Sequence, residues 1–394
     1  MKRHLIYAIV FAAMGLVLPG LSSAEGFYFG EETKGVTFTQ GESDLTIRVR
    51  FQPRFDYGDI IESKDGTTYE SEGDLYLRRV RLEFAGHIVS KVVRYHLTLD
   101  GDRWDQAGGS NKVSVKYVFV TWEPDPAYSF FVGKLKLPFS RDMLTRDSTS
   151  LMVDTTASTD DAKNIFGQSN GYFQPKIALF GRLMDGSIAY EVALADGWQN
   201  GETIQTGTGR TVFKAPPLFA ARVELSPPGW VEARKIGSHL GKGQHLVVGL
   251  SYARQGSIEY QENGYEEDRS LWGMDVSGHF NAVTAQAEYI AWEIDSSDPA
   301  IGETKPEGWY VQAGYFIDGL NLEPTMRYEV YDEDTNTDDS KEKSTTLGVN
   351  WYGKGHSLKV QANWVHTSFD DNASGKLTDD DSKDVLQVQA QVFF

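Results

Sequence analysis

Basic and apolar side chains alternate along residues 45–55, which read Leu-Thr-Ile-Arg-Val-Arg-Phe-Gln-Pro-Arg-Phe. Successive side chains of a β-strand point to opposite faces, so Arg48, Arg50 and Arg54 would share one face and the apolar residues the other. A row of guanidinium groups concentrates anions, most strongly inside a narrow cleft of low dielectric. The spacing therefore indicates a strand with one cationic face that attracts anions and one apolar face.

The chain ends on a strand with the same alternation. In residues 385–394 the even positions are apolar and finish with Phe394, while positions 387, 389 and 391 are glutamine. An apolar outer face, a polar inner face and a terminal aromatic residue are typical of the last strand of a bacterial outer-membrane barrel. That strand pairs with the first, so that no sheet edge is left.

The whole chain fits this pattern. Segments of about 10–14 residues are long enough to cross the apolar band of an outer membrane, and their connections alternate between long and short. We therefore predict an all-β fold, a transmembrane antiparallel β-barrel of about 16 strands. The predicted strands are 45–57, 73–86, 90–102, 112–123, 128–138, 172–182, 186–196, 214–226, 244–257, 270–280, 282–294, 307–317, 321–332, 344–353, 356–368 and 384–394. One connection, near residue 235, is longer than the other short ones.

In such a barrel the basic residues must face the lumen, because an arginine on the lipid face costs about 2–4 kcal/mol at the midplane. Strand parity then predicts a cationic wall. Its predicted members are Arg48, Arg50, Arg54, Arg79, Arg81, Arg94, Lys116, Lys134 and Lys136. The acids of matching parity, Asp56, Glu83 and Asp100, are too few to neutralise this row. An alternative is that loop carboxylates pair with these residues and brace the barrel.

The N-terminus predicts export. Lys2 and Arg3 precede an apolar run of about 14 residues, and Ser22-Ser23-Ala24 supplies small residues for cleavage. We predict a signal peptide over 1–24, a periplasmic N-terminal stretch over 25–44 and the barrel over 45–394, in the bacterial outer membrane. A retained N-terminal anchor is the alternative.

The connection after the fifth predicted strand, residues 140–171, is too long for a simple turn. Long connections without secondary structure are usually functional. We predict that it folds inward, and an external flap is the alternative. The candidates to line a constriction are three cationic and five acidic residues: Arg141, Arg146, Lys163, Asp142, Asp147, Asp154, Asp160 and Asp161.

Other function classes find little support. The formal net charge of −18 disfavours nucleic acid as a partner. The chain has no cysteine, and its eight histidines show no metal-binding spacing. Gly167–Gly171 matches G-x-S-x-G but lacks the strand-turn-helix context of a nucleophile elbow. We therefore predict neither an enzyme nor a cofactor.

Several segments resemble the phosphate-selective porins of the porin O and P type. Residues 77–86, Leu-Arg-Arg-Val-Arg-Leu-Glu-Phe-Ala-Gly, resemble the paired-arginine strand of that family, and 95–100 resemble the next strand. Residues 132–140 resemble its V-G-x-x-x-x-P-F-S segment. Four further stretches are similar to later strands of the family: 272–275, 285–289, 347–352 and 360–364.

The resemblance implies a trimeric 16-stranded barrel that binds phosphate-like anions at its constriction. It assigns Arg78, Arg79 and Asp100 to that site, although Arg78 has lipid-facing parity and needs a bulge to reach the lumen. Guanidinium forks suit phosphate because they bond its oxygens bidentately. Two departures weaken phosphate selectivity: residues 148–150 offer no lysine, and the predicted fifth loop, 257–269, is acidic.

The resulting hypothesis is a passive, anion-preferring outer-membrane porin, with phosphate or related oxyanions as candidate solutes. Its expected partners are small anions, outer-membrane lipid, lipopolysaccharide and two further copies of the chain. A general or sugar-type diffusion porin is one alternative. A structural or adhesive surface barrel with a plugged lumen is the other.

Overall fold

The computed structural model describes residues 35–60, 69–106, 111–167, 171–204, 209–262, 264–376 and 381–394. Two predictions lie wholly outside these residues, namely the signal peptide over 1–24 and the centre of the G-x-S-x-G motif, 168–170. Residues 25–34 of the predicted N-terminal segment also lie outside them. No helix among the described residues is long and apolar enough to cross a membrane.

The described residues form sixteen long strands that build the barrel wall. They are β1 (Ser43–Ile60), β2 (Tyr69–Ile88), β3 (Ser90–Trp104), β4 (Val113–Asp125), β5 (Tyr128–Lys136), β6 (Phe173–Leu183), β7 (Ile188–Ala195), β8 (Leu218–Leu225), β9 (Gln244–Tyr260), β10 (Glu266–Phe280), β11 (Val283–Ser296), β12 (Glu307–Tyr315), β13 (Leu322–Asp332), β14 (Lys341–Lys354), β15 (Leu358–Phe369) and β16 (Ser382–Phe393).

Every strand pairs antiparallel with its neighbours in the chain, and the last strand closes on the first. Arg50 of β1 lies opposite Phe393 of β16, and Gly58 lies opposite Val385. The backbone of Val49 also exchanges two hydrogen bonds with that of Phe394, at 2.8 and 3.0 Å. The predicted closed 16-strand barrel is confirmed, and each predicted strand overlaps one observed strand.

Side chains alternate between the two faces of the wall. In β9, Leu246, Val248, Leu250 and Tyr252 are exposed on the outer face, and the residues between them are buried. The outer face of a membrane barrel must be apolar, and these residues meet that requirement.

Four shorter strands add to the wall: Val36–Gln40, Thr203–Ile204, Arg210–Lys214 and Glu303–Thr304. Val36–Gln40 folds back on the first residues of β1, with Val36 opposite Ile47. The predicted loop 257–269 is wrong in extent. Strands β9 and β10 continue through most of it, and Ile258 pairs with Glu267, because alternation persists in this acidic stretch.

Two short helices lie between β5 and β6, α1 (Arg141–Leu144) and α2 (Ala157–Ala162). Each has a hydroxyl cap: Ser140 accepts a hydrogen bond from the Met143 amide at 3.2 Å, and Thr156 accepts one from the Thr159 amide at 3.3 Å. We call residues 137–167 the constriction segment.

Candidate functional site

The constriction segment is anchored to one inner wall by apolar side chains. Leu137, Phe139, Met143, Ile165 and Phe166 are buried in a cluster with inward-facing residues of β8, β9, β10 and β11. Burying each of these side chains contributes about 1.5–3 kcal/mol. The side of the barrel lined by these four strands is therefore filled with protein.

The middle of the constriction segment reaches the opposite wall. The amide of Val153 donates to Asn363 Oδ1 of β15 at 2.8 Å, and Asn350 of β14 donates to the Leu151 carbonyl at 2.9 Å. Arg327 of β13 donates to the Asp154 carbonyl at 2.9 Å. The segment therefore runs across the barrel interior between two walls.

A second segment meets it from the other end of the barrel. Residues 226–243 connect β8 and β9, on the side of the short turns. Arg141 of α1 forms a bidentate pair with Glu232, at 2.7 and 2.8 Å, and both side chains are buried. The Ser238 amide donates to the Thr149 carbonyl at 2.9 Å. We call residues 226–243 the periplasmic segment, because short turns face the periplasm in such barrels.

Gly237 shows how closely these two segments approach. A Cβ atom at this position would lie 2.6 Å from the Leu151 nitrogen and 2.7 Å from the Thr149 carbonyl oxygen. Only glycine fits there, because real Cβ atoms do not approach backbone atoms so closely.

The outer cavity, on the side of the long loops, has a volume of about 620 Å³. Nine cationic and eight acidic residues line it, so its charge is nearly balanced. The cationic residues are Arg54, Arg78, Arg79, Arg103, Lys116, Lys136, Lys163, Arg327 and Lys383; the acidic residues are Asp56, Asp102, Asp142, Asp147, Asp154, Asp160, Glu329 and Glu342.

Carboxylates of the constriction segment pair with the arginines of this cavity. Asp154 takes a bidentate contact from Arg54 at 2.6 and 2.7 Å, and Asp147 lies 2.7 Å from both Arg79 and Arg81. Arg78 pairs with Asp102. These arginines are not free to bind a solute without displacing a carboxylate.

The wall supplies further counter-charges. Arg81 lies 2.7 Å from Asp100, Lys116 lies 2.8 Å from the same carboxylate, and Arg50 lies 3.2 Å from Glu83. The interpretation that too few acids are available for the arginine row is therefore wrong. Strand parity shows the wall only, and it misses carboxylates that enter from the constriction segment.

Asp147 and Asp154, the two carboxylates of the constriction segment that pair with these arginines, are held ionised. Burial alone would raise the pKa of the Asp147 carboxyl, but Arg81, Arg79 and Arg50 outweigh burial and lower that pKa well below its usual range. Burial would likewise raise the pKa of the Asp154 carboxyl, but Arg54 outweighs burial and lowers that pKa. These ion pairs therefore persist in mildly acidic solution.

Arg78 reaches the interior through the expected irregularity. The register between β1 and β2 shifts at this point, with Gln52 opposite Arg79 and Pro53 opposite Leu77. Arg78 is the extra residue of this bulge, so its side chain departs from strict alternation.

The inner cavity, of about 430 Å³, lies on the side of the short turns and has a different balance. Six cationic and three acidic residues line it. The cationic residues are Arg48, Arg50, Arg94, Lys136, Arg146 and Arg234; the acidic residues are Glu83, Asp147 and Glu191. Asp147 and Lys136 line both cavities, so the two lie next to each other.

Three arginines of the inner cavity have no carboxylate partner in the described parts of the chain. No carboxylate oxygen there lies within 4.0 Å of the guanidinium nitrogens of Arg94, Arg146 or Arg234, and all three residues are exposed. The three acids are already engaged: Glu83 with Arg50, Asp147 with three arginines and Glu191 with Lys176. This cavity therefore carries an excess of accessible positive charge.

The structure corrects one site prediction directly. Lys134 lies opposite Val118 and next to Val132, both exposed on the outer face, so it does not face the lumen. Parity failed here because the apolar residues of the opposite parity face the interior: Leu135 lines the inner cavity, and Leu137 is buried in the cluster that anchors the constriction segment. Lys136 does turn inward at the strand end, and its Nζ donates to the Met143 carbonyl at 2.6 Å.

The three cationic residues predicted to line the constriction lie in different parts of the barrel interior. Arg146 lines the inner cavity, Lys163 lines the outer one, and Arg141 is fully buried against Glu232. Sequence reasoning missed Arg234. The unusual length of the connection near residue 235 was the only signal for it, because a connection has no parity.

The sequence matches the model of the family "Phosphate-selective porin O and P" over residues 47–394. An uncharacterized protein of Aquifex aeolicus is 33% identical over 94% of this chain and 92% of its own length. Porin O of Pseudomonas aeruginosa is 25% identical over 97% of each chain.

Solved structures share the architecture. The outer-membrane channel DcaP of Acinetobacter baumannii superposes with a TM-score of 0.62 at 14% identity, covering 91% of this chain and 99% of its own. OmpT of Vibrio cholerae gives 0.60 at 10% identity, covering 91% and 100%. A trimer form of OmpT gives 0.59 at 11% identity, covering 90% and 100%. With these barrel neighbours and a family match over most of its length, the chain belongs to the phosphate-selective porin O and P family and is an outer-membrane porin.

Proposed function

We propose that this porin forms a passive channel that prefers anions, and that the inner cavity supplies the preference. The observation that carries the proposal is the contrast in pairing: Arg94, Arg146 and Arg234 are exposed without carboxylate partners in the described residues. Of the five arginines that line the outer cavity, only Arg103 lacks such a partner among the described residues. A fixed excess of positive charge in a confined space raises the local concentration of anions.

The strength of this field suits conduction. A unit anion 4 Å from one guanidinium gains about 1 kcal/mol in bulk water and about 4 kcal/mol at an effective dielectric constant of 20. Conduction needs attraction strong enough for entry and weak enough for release. Exposed arginines in a water-accessible cavity meet both conditions.

The same geometry argues against a strong phosphate site among Arg54, Arg78 and Arg79. A phosphate entering there must displace Asp154, Asp102 or Asp147 from its arginine. We therefore propose a general preference for small anions, with phosphate as one permeant oxyanion. Trimeric assembly and contact with lipopolysaccharide remain part of the proposal.

Planar-bilayer recordings of the purified protein in a KCl gradient test this function, with inorganic phosphate added afterwards. We expect a reversal potential whose sign shows that chloride is more permeant than potassium, and we expect phosphate to block little of the chloride current. Strong block by millimolar phosphate would move the anion site to the outer arginines. A potential near zero favours a general or sugar-type diffusion porin, a cation-selective potential contradicts the proposal, and no conductance favours a structural barrel.

A further inference from the structure

Three histidines meet where the periplasmic segment enters the barrel. His239 belongs to this segment, while His245 of β9 and His279 of β10 lie opposite each other in the wall. The ring centroid of His239 lies 4.5 Å from those of both other histidines. The proposed anion channel makes no use of this cluster.

The three rings differ in what their nitrogens bind. His279 is saturated, because Nδ1 lies 2.9 Å from Thr284 Oγ1 and Nε2 lies 3.0 Å from the Lys242 carbonyl. By contrast, Nε2 of His239 and Nδ1 of His245 are buried without a hydrogen-bond partner among the described residues. The His245 residue is only 2% exposed. Unpaired ring nitrogens in a buried site cost free energy unless something binds them.

Glu232 completes a set of three donors. Its Oε1 lies 3.7 Å from His239 Nε2 and 3.9 Å from His245 Nε2, and one donor atom from each residue lies within 4.8 Å of the others. Donors around a tetrahedral zinc ion are about 3.4 Å apart, given bond lengths of about 2.1 Å. The two spacings from Glu232 are therefore about 0.3 and 0.5 Å wider than a zinc site requires, and the spacing between the two histidines exceeds it by no more than about 1.4 Å.

We propose that Glu232, His239 and His245 bind a divalent transition-metal ion, with Zn²⁺ as the ion that suits this donor set. Two imidazoles and one carboxylate are an established zinc ligand set, and water would take the fourth position. At His245 the ion would take Nε2 in place of Ser277, which lies 2.9 Å from that nitrogen, and Arg141, bound to both Glu232 oxygens, would orient the carboxylate.

The site would join the periplasmic segment to the barrel wall. Glu232 and His239 come from the segment and His245 from β9, so a bound ion would cross-link the two. Glu232 also pairs with Arg141 of the constriction segment. The ion would therefore hold the segment that carries Arg234 in place behind the constriction.

Calorimetric titration of the metal-free, full-length protein with ZnCl₂ tests the proposal. We expect one ion per chain, and a loss of affinity of at least about tenfold in His239→Gln and His245→Gln. His366→Gln is the matched control, because His366 is exposed and pairs with Asp384 elsewhere. Equal zinc affinity in the wild type and His239→Gln would overturn the site.

A second readout does not depend on how any variant folds. Titration of the wild type with CoCl₂ should give the intense visible absorption of a four-coordinate ion, and ZnCl₂ should bleach it. Weak octahedral bands or no spectral change would contradict the site. The reversal potential of zinc-free protein separates this result from the anion proposal, which does not require the metal.

Discussion

The two cavities of this barrel contain similar side chains, but they differ in how many of their arginines pair with carboxylates. In the outer cavity, Arg54, Arg78 and Arg79 each contact a carboxylate. In the inner cavity, Arg94, Arg146 and Arg234 are exposed and have no such partner among the described residues. Counting arginines therefore says little about selectivity; what matters is which of them are already neutralised.

The constriction segment creates this difference. It carries Asp147 and Asp154 toward the outer arginines, and it adds Arg146 to the inner side. One loop therefore lowers the free charge of one cavity and raises that of the other. Variants that move this loop or change its charges test the comparison.

Loosening the anchor of the constriction segment should have the largest effect. Phe139 is fully buried in the apolar cluster that holds the segment. We expect Phe139→Ala to destabilise the protein by about 3–5 kcal/mol and to raise single-channel conductance, because the outer pairs lose their loop partner. Thermal unfolding and single-channel recording measure the two effects.

The control for that variant is Val248→Ala, which removes an exposed apolar side chain from the outer face. Unchanged conductance and stability in Phe139→Ala would show that the segment is held by other contacts.

Removing the shared carboxylate should make the outer cavity resemble the inner one. Asp147 lies 2.7 Å from Arg79 and Arg81 and 3.8 Å from Arg50. We expect Asp147→Asn to cost about 1–3 kcal/mol and to increase chloride preference, with phosphate block appearing at lower concentration. Current recordings with added phosphate measure the change.

The matched control is Asp371→Asn, an exposed carboxylate paired with Lys376 outside the barrel wall. If Asp147→Asn left phosphate block unchanged, the outer arginines would not be potential anion sites.

Salt should reduce the preference. The field of exposed inner arginines is screened over about 10 Å at 0.1 M salt and over about 3 Å at 1 M. We expect the chloride-to-potassium permeability ratio to fall toward unity between these salt concentrations. Reversal potentials at a constant gradient ratio measure it; an unchanged ratio would indicate buried, directly binding charges instead.

Mild acid should have the smallest effect. The pKa values of Asp147 and Asp154 are lowered in the folded protein. The stability that their ion pairs contribute is therefore fully present above the unfolded-state pKa of about 3.9. It is lost only as the pH falls through the lower folded-state pKa values. We expect these two carboxylates to cause no change in selectivity between pH 7 and pH 5. The difference between wild type and Asp147→Asn should stay constant over this range.

The sequence was sufficient to predict the barrel because each strand must satisfy the membrane locally. Alternation at Arg48, Arg50 and Arg54 reflects the two faces of one strand, and the observed wall follows it. Parity failed at Lys134, because an apolar cluster lies inside the barrel there. Apolar residues at the end of that strand therefore face the interior, and Lys134 faces outward.

The pairing of the site could not be predicted in the same way. Asp147 and Arg146 are adjacent in the chain, yet Asp147 pairs with the wall arginines whereas Arg146 lacks a partner in the described residues. Their placement depends on how the constriction segment crosses the barrel. Arg234 comes from a connection whose inward course is fixed by Arg141 and Gly237, contacts that no local pattern encodes.

The reversal potential of Arg94→Gln/Arg146→Gln/Arg234→Gln in a KCl gradient tests the central claim most directly. Arg254→Gln is its control, because Arg254 is exposed and lies on the outward-facing row of β9. We expect the triple variant to lose most of the chloride preference, and the control to keep it. A triple variant that remains as chloride-selective as the wild type would contradict the account and assign selectivity to the outer, carboxylate-paired arginines.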